Sequence, residues 1–315
     1  MSGRLRLALV GAGRMGRTHL HALRDHPGVV LTDVVEPVTA THADLAHHGL
    51  RVHATLEDLF ASRRVDAVLV ATPTGTHGDL VRAAVDAGLP VLCEKPAGLT
   101  SSDVTHLGRY AHERGVPVQV AYWRRFVPGL VELRDRVEAG DLGEVHLVSC
   151  AQWDGAPPSA AFRATSGGIF VDMGVHELDQ ARWLTGAEIA VVSASAAAGV
   201  SDPDVHGDVD SAHATLRLST GALAAVSLGR YNPGGDVVEA SVRGTRGVVH
   251  VPVVTPGDGD VPFHRALRAQ AQAFADLVGT GTGAGARVSD AAAALAAAEA
   301  ASAHAGLPSG EPARV

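Results

Sequence analysis

Apolar and polar positions follow two different grammars along the chain. Over roughly the first 120 residues, short, mainly apolar runs at 5–10, 29–35, 66–71, 90–93 and 116–121 are separated by stretches of helical period, at about 14–25, 76–87 and 100–114. Apolar runs of this length read as strands buried on both faces, and their alternation with helices predicts an α/β fold built on a doubly wound parallel sheet. After residue 121 the pattern changes. A helix at 129–139, a strand at 145–153 and a proline-free helical stretch at 166–184 lead into strand-like runs at 189–197, 211–218, 222–231, 237–243 and 247–251. Ser219-Thr220-Gly221 and Gly244-Thr245-Arg246-Gly247 have the composition of hairpin turns. This half is expected to be an α+β domain with a large, mainly antiparallel sheet covered by helices on one face. Val, Ala and Leu on the other face predict burial against a second subunit, as a homodimer or homotetramer. Helices at 263–278 and 289–305 follow, joined by the glycine-rich link GTGTGAGA, and 306–315 reads as a frayed tail. The domain division predicted from these patterns is 1–121 and 122–315.

Composition narrows the classes. The chain of 315 residues is 46% apolar and 19% charged, a globular balance. A net charge of -8 and the absence of a basic patch speak against nucleic acid or an anionic membrane as partner. No apolar stretch approaches the length of a membrane span, and the N-terminal segment has no cleavage-site pattern, so a cytoplasmic protein is expected. Cys93 and Cys150 each lie in an apolar run and read as structural thiols. The 17 histidines show no metal-ligand spacing, so no metal is expected.

The first apolar run enters Gly11-Ala12-Gly13-Arg14-Met15-Gly16 and then a helix, and Glu36 ends the second strand twenty residues past Gly16. Glycines at this spacing permit a tight turn and close approach of the backbone to a pyrophosphate at the helix N-terminus, where unpaired N–H groups favour an anion. A carboxylate at position 36 suits ribose hydroxyls and repels a 2′-phosphate, and residues 37–41 hold no arginine, which selects NAD over NADP. Ligands of doubly wound sheets sit beyond the carboxyl ends of the strands, which singles out Thr72, Pro73, Thr74 and His77 after one strand and Glu94, Lys95 and Pro96 after another. A lysine held there can hydrogen-bond a hydroxyl and stabilise a developing alkoxide. It can also be merely solvated.

In the stretch 166–184, Asp172, His176 and Asp179 stand at i, i+4 and i+7, one face of a regular helix, beside an apolar stripe of Val171, Val175 and Leu178. An aspartate one turn before a histidine can orient the imidazole as an acid/base catalyst. The alternative is a solvated helix face.

Together GAGRMG, Glu36, ATPTGTH, CEKP, YWRRF and SGGIFVDMGVHELD resemble the glucose–fructose oxidoreductase / inositol dehydrogenase family, over the chain to about residue 305. IFVDMGVHELDQARWLTG and GDVDSAHATLRLSTGALAAV look most like inositol 2-dehydrogenases within it. The resemblance implies an N-terminal Rossmann domain and NAD-dependent oxidation of a secondary hydroxyl of a small polyhydroxylated substrate, a cyclitol or sugar. Lys95, Asp172 and His176 would be catalytic, with a cis Lys95–Pro96 bond and no metal. Arg124, Gln152, Asp154, Asp179 and Tyr231 are the further candidates for substrate contact. Where such dehydrogenases carry His and Asn before the catalytic helix, this chain has Gln152-Trp153-Asp154, which changes the pattern of donors and acceptors. NAD-dependent glycoside cleavage, oxidation of a hexose or sugar phosphate, and a non-catalytic nucleotide sensor are the other readings of the same features.

Overall fold

A computed structural model describes residues 3–62, 64–198 and 208–307. The chain forms two compact units. One comprises Met1–Gly98, Ser102–Trp123 and Phe263–Ser289, the other Leu99–Ser101, Arg124–Pro262 and Asp290–Val315.

In the first unit the apolar runs become strands β1 (Leu5–Val10), β2 (Val29–Val35), β4 (Ala67–Val70), β5 (Val91–Cys93) and β6 (Val118–Val120), with β3 (Arg51–His53) added at the edge. They lie in the order β6-β5-β4-β1-β2-β3, every neighbouring pair parallel. Every residue of β4 and β5 is buried, as unbroken apolar runs require. β3 and its flanking helices His42–His47 and Leu56–Ser62 are short and polar enough to escape periodicity. β3 is secured by charge: Asp33, fully buried on β2, accepts from Arg51 at 2.6 Å and meets His53 at 2.8 Å. Burial opposes the Asp33 charge, but the hydrogen bonds from Arg51, Thr32 and His53 outweigh it and hold the carboxyl below its ordinary pKa.

A single cut at 121/122 is corrected by the later part of the chain. Ala271 and Phe274, from the helix Val261–Thr280, enter the core formed by Leu7, Leu9, Leu69 and Leu92. The glycine-rich link is packed, because a Cβ on Gly283 would lie 2.7 Å from the Ala273 carbonyl. It ends in Ala286–Arg287, which adds an antiparallel seventh strand beside β6. The expected tail lies, from residue 308, outside the described residues.

The second unit carries β7 (Val145–Trp153), β8 (Ile189–Ala197), β9 (Ser211–Leu218), β10 (Leu223–Gly229), β11 (Val237–Gly244) and β12 (Gly247–Val254) in the order β12-β11-β7-β10-β9-β8. Only β7 and β10 run parallel. Alternate residues Val148, Cys150, Ala214, Leu216, Val226, Leu228, Ala240 and Val242 are buried on the face covered by helices. The opposite face carries the exposed Leu223 and Val248. It holds a cavity of about 300 Å³ lined mainly by serine, alanine, Trp153, Glu239 and His250.

The stretch at 166–184 is not one regular helix. Gly167 and Gly168, both at positive φ, break the chain, Phe170–Gly174 forms a wide π turn, and the α-helix runs from Val175 to Thr185. Gly174 lets this junction pack closely on β10, since a Cβ there would meet Leu228 at 3.1 Å. Asp172 thus lies where the backbone departs from α-helical hydrogen bonding, and Asp172 and Asp179 meet different arginines, Arg230 and Arg125. Val171, Val175 and Leu178 are fully buried.

Candidate active site

In the first unit the three loop glycines answer to different demands. A Cβ on Gly11, which sits at φ +92, would lie 2.7 Å from Thr72, and one on Gly16 would lie 2.1 Å from the Gly11 carbonyl oxygen. Those two are required by packing. Gly13 has an ordinary φ of -68 and nothing within 4 Å of its would-be Cβ. Nothing in the chain itself therefore asks for glycine at 13. The helix that follows has neither a side-chain cap nor an acidic residue in its first turn, which leaves its leading N–H groups to an anion. Exposed Gly13 and Arg14 and half-buried Met15 form this edge. Glu36 is tied into it: Oε2 accepts from Ala12 N–H and Oε1 from Val38 N–H, both at 2.9 Å. Each oxygen keeps a second acceptor position for a ribose hydroxyl. The loop thus fits a dinucleotide.

The strand ends of this unit are clamped by histidines. His77, at the start of the helix after β4, places Nδ1 2.8 Å from the Pro96 carbonyl and Nε2 2.8 Å from the Thr72 carbonyl. Burial pushes its pKa down, while the two carbonyls favour the proton. The buried His19 Nε2 lies 2.6 Å from Glu94 Oε1, and Glu94 Oε2 accepts from Lys95 N–H at 3.2 Å. Burial raises the pKa of Glu94, but the His19 hydrogen bond and the charges of His19, Lys95 and His77 overcome this and lower it. Lys95 is half-buried and precedes a cis peptide bond to Pro96. Thr72 is joined to Thr76 through their hydroxyls at 2.7 Å, and Thr74 begins the short turn that leads to His77. Pro73 is exposed.

In the second unit, two arginine relays end on carboxylates. Buried Arg124 donates through Nη1 to Glu177 and through Nη2 to the Gln152 carbonyl oxygen, and Gln152 Nε2 donates to Asp154 at 2.8 Å. These contacts fix the amide of Gln152, oxygen toward the cation and nitrogen toward the acid. Burial, followed by the charges of Asp236 and Asp172, raises the pKa of Asp154 despite that hydrogen bond. Burial likewise raises that of Glu177, against the pull of Arg124. The other relay runs Arg163, Asp208, Arg230, Asp172. Arg163 Nε donates to Asp208 at 2.7 Å, and Arg230 Nη1 donates to Asp172 at 3.1 Å. His176 is buried one α-helical residue past the π turn.

Two expected substrate contacts are engaged with internal partners. Arg124 was expected to present its fork to vicinal hydroxyls, and each of its terminal nitrogens donates to an internal partner, Glu177 or Gln152. Asp179 accepts from Arg125 with both oxygens, at 2.9 and 2.5 Å, and Arg125 also reaches Asp290 at 3.2 Å. Burial raises the pKa of Asp179 even so. It belongs to an internal ion pair. Tyr231 is 42% exposed, beyond the end of β10. Arg230, Asp208 and Arg163 were missed by sequence reasoning. An arginine closing an apolar strand was the one visible signal.

Comparison with known proteins matches residues 5–122 to an oxidoreductase family with an NAD-binding Rossmann fold and residues 130–250 to the GFO/IDH/MocA C-terminal domain. The rhizopine catabolism protein MocA of Rhizobium meliloti is 44% identical over 271 residues, 86% of each chain. The chain belongs to the GFO/IDH/MocA oxidoreductase family. The myo-inositol dehydrogenase Hyg17 of Streptomyces leeuwenhoekii is a further member, 39% identical over 85% of this chain and 86% of its own. Among solved structures of the family, scyllo-inositol dehydrogenase from Lactobacillus casei, with bound NAD(H) and scyllo-inositol, superposes with a TM-score of 0.85 at 26% identity, covering 94% of this chain and 95% of that one. As a GFO/IDH/MocA protein the chain is an NAD-dependent oxidoreductase acting on CH–OH groups, and the uncapped loop at Gly13 with Glu36 behind it is where its residues fit the cofactor.

Proposed function

We propose that the protein oxidises a secondary hydroxyl of a cyclitol, with an inositol as the leading substrate, and that Lys95, Asp172 and His176 act on the alcohol. The observation that carries this reading is the polar cluster of the second unit, in which Asp154 and Asp172 are each aimed by a buried arginine relay. Such oriented acceptors suit a ring bearing several hydroxyls, because each missing hydroxyl would leave an oriented acceptor position unmet. His176 takes the hydroxyl proton. Lys95 stabilises the alkoxide, and Asp172 orients His176 and accepts from a ring hydroxyl. NAD, held by Gly11, Gly13, Arg14, Met15, Gly16 and Glu36 together with Thr72, Pro73, Thr74, His77, Glu94 and Lys95, supplies the hydride acceptor.

Asp154 also favours a second substrate reading. Its side chain accepts from Gln152 and forms no ion pair among the described residues, whereas Asp172, Glu177, Asp179, Asp208 and Asp210 each meet an arginine. A carboxylate in that position accepts from a hydroxyl and, more strongly, from an ammonium, so amino-substituted cyclitols belong among the candidate substrates. The names of two relatives, a myo-inositol dehydrogenase and a scyllo-inositol 2-dehydrogenase, are consistent with cyclitols in general. The open face of the second unit's sheet is proposed to pair with its copy in a homodimer or homotetramer.

A panel of inositols, amino-substituted cyclitols, hexoses and their phosphates, with NAD or NADP and absorbance of the reduced nicotinamide as readout, tests the reading. NADH formation with a cyclitol, and loss of turnover with retained NAD binding in Lys95→Ala and His176→Ala, are expected. Turnover of hexoses alone, or full activity in both variants, overturns it.

A further inference from the structure

Arg230 has no exposed surface. A guanidinium is costly to bury and persists in an interior only where carboxylates hold it. Its backbone is pinned at the end of β10, where Arg230 N–H donates to the Asp210 carbonyl at 2.8 Å. Its side chain divides between two acids. Nη2 donates to Asp208 Oδ1 at 3.3 Å, Nε lies 2.8 Å from Asp208 Oδ2 at ion-pair distance without hydrogen-bond alignment, and Nη1 donates to Asp172 Oδ2 at 3.1 Å. Asp208 is held from its other side by Arg163 Nε, and Arg163 Nη2 reaches Asp210 at 3.4 Å.

Charge balance separates the members of this network. Arg163 and Arg230 are already matched by Asp208 and Asp210 before Asp172 is counted. The network does not need Asp172 for neutrality. Asp172 has more use for the network, because it stands in a π turn, where the backbone ladder departs from α-helical regularity, and its side chain is the most exposed of the five at 13%.

We propose that Arg230 is a positioning residue for the oxidation: it sets the orientation of the Asp172 carboxylate, with Asp208 and Arg163 holding the guanidinium in place. This rests on the reading that Asp172 acts on the alcohol. Arg230 itself touches neither substrate nor cofactor in this assignment. Displacing a reacting group by about 1 Å can lower turnover on the order of 100-fold, so the guanidinium's effect is expected mainly in kcat.

The test uses the full chain with NAD and the best cyclitol of the panel, comparing Arg230→Gln, Arg230→Lys and Asp208→Asn for kcat, KM, NADH affinity and thermal midpoint, with and without added guanidinium ion. In Arg230→Gln, kcat is expected to fall on the order of 100-fold at unchanged NADH affinity. Arg230→Lys and added guanidinium should each restore part of the loss, and Asp208→Asn should lower kcat less. A folded Arg230→Gln with kcat near the wild-type value overturns the proposal. So does a loss that tracks lowered stability and is eased by neither lysine nor guanidinium, which would assign Arg230 to the scaffold. Should Arg230→Gln fail to fold, Arg230→Lys and Asp208→Asn decide: wild-type kcat in both overturns it, and a kcat loss in either at unchanged stability supports it. Asp172→Asn separates the two levels. If that variant is inactive while the Arg230 variants are normal, positioning fails; if it is fully active, the underlying reading of the site fails.

Discussion

Substituting alanine at Gly16 and at Gly13 should separate fold from cofactor binding within a single loop. At Gly16 the new methyl would stand 2.1 Å from the Gly11 carbonyl oxygen, an atom of rigid backbone, and something must move by about 1 Å. Overpacking of this kind costs about 1–3 kcal/mol, and alanine returns up to about 1 kcal/mol of helix propensity. The net loss is about 1–2 kcal/mol, which lowers the thermal midpoint by roughly 3–8 °C in a unit of this size. At Gly13 the methyl meets nothing within 4 Å and φ is already -68. The lost N-cap preference and the reduced freedom of the unfolded chain nearly cancel, each being about 0.5–1 kcal/mol, so the midpoint should stay within about 2 °C. Binding responds in the opposite sense. A methyl at 13 occupies the approach of the pyrophosphate to the helix N–H groups, and losing one charge-assisted hydrogen bond of about 1.5–3 kcal/mol weakens NADH about 10- to 150-fold. Differential scanning calorimetry and NADH titration on the two variants provide the check. If Gly13→Ala binds NADH as wild type does, or melts as early as Gly16→Ala, the assignment of the open edge to the cofactor is refuted.

Other parts of the chain give further tests. Asp179→Ala removes the two-pronged partner of the buried Arg125, which keeps Asp290 at 3.2 Å, and should cost about 1.5–3 kcal/mol in urea unfolding, with little change in KM for the cyclitol; unchanged stability with a raised KM would return Asp179 to the substrate site. Glu94 has a lowered pKa in the folded state, so its contribution to stability is present above the unfolded value near 4.3 and is lost as pH falls through the folded one. Urea midpoints of wild type and Glu94→Gln should therefore differ from pH 7 down to about 4.3 and converge only as pH falls below that, and a constant difference would contradict the His19–Glu94 pairing. Burial pushes the Cys150 thiol up to about 12 and that of Cys93 up as well, so neither should react with a thiol reagent at pH 8 until the protein is unfolded. Rapid native labelling would show that these strands open.

What the sequence revealed was set by how local each determinant is. The parallel strands of the first unit were visible because β4 and β5 are unbroken apolar runs, and the glycine loop because its turn is fixed within six residues. β3 stayed hidden because its anchor is Asp33, eighteen and twenty residues from Arg51 and His53. Ala271 and Phe274 join a core whose remaining buried members, Leu7 to Ala121, lie at least 150 residues earlier, so no cut of the chain at one point could have separated the units. At the site, the motif located Asp172 and His176, while the partners that decide their neighbours' roles are remote: Arg230 lies 58 residues from Asp172, and Arg125 lies 54 from Asp179. The helical spacing of Asp179 suggested a shared face. In the structure Asp172 lies in a π turn, and Asp179 pairs with an arginine from a distant segment.

The most direct test of the account is the fate of a single hydrogen. A cyclitol deuterated at its ring carbons, incubated with the protein and NAD, should transfer deuterium to the nicotinamide with a 1:1 yield of ketone and reduced cofactor, and His176→Ala should abolish the transfer while binding NADH normally. Product that forms without label in the nicotinamide, or label transfer undiminished in His176→Ala, would contradict it.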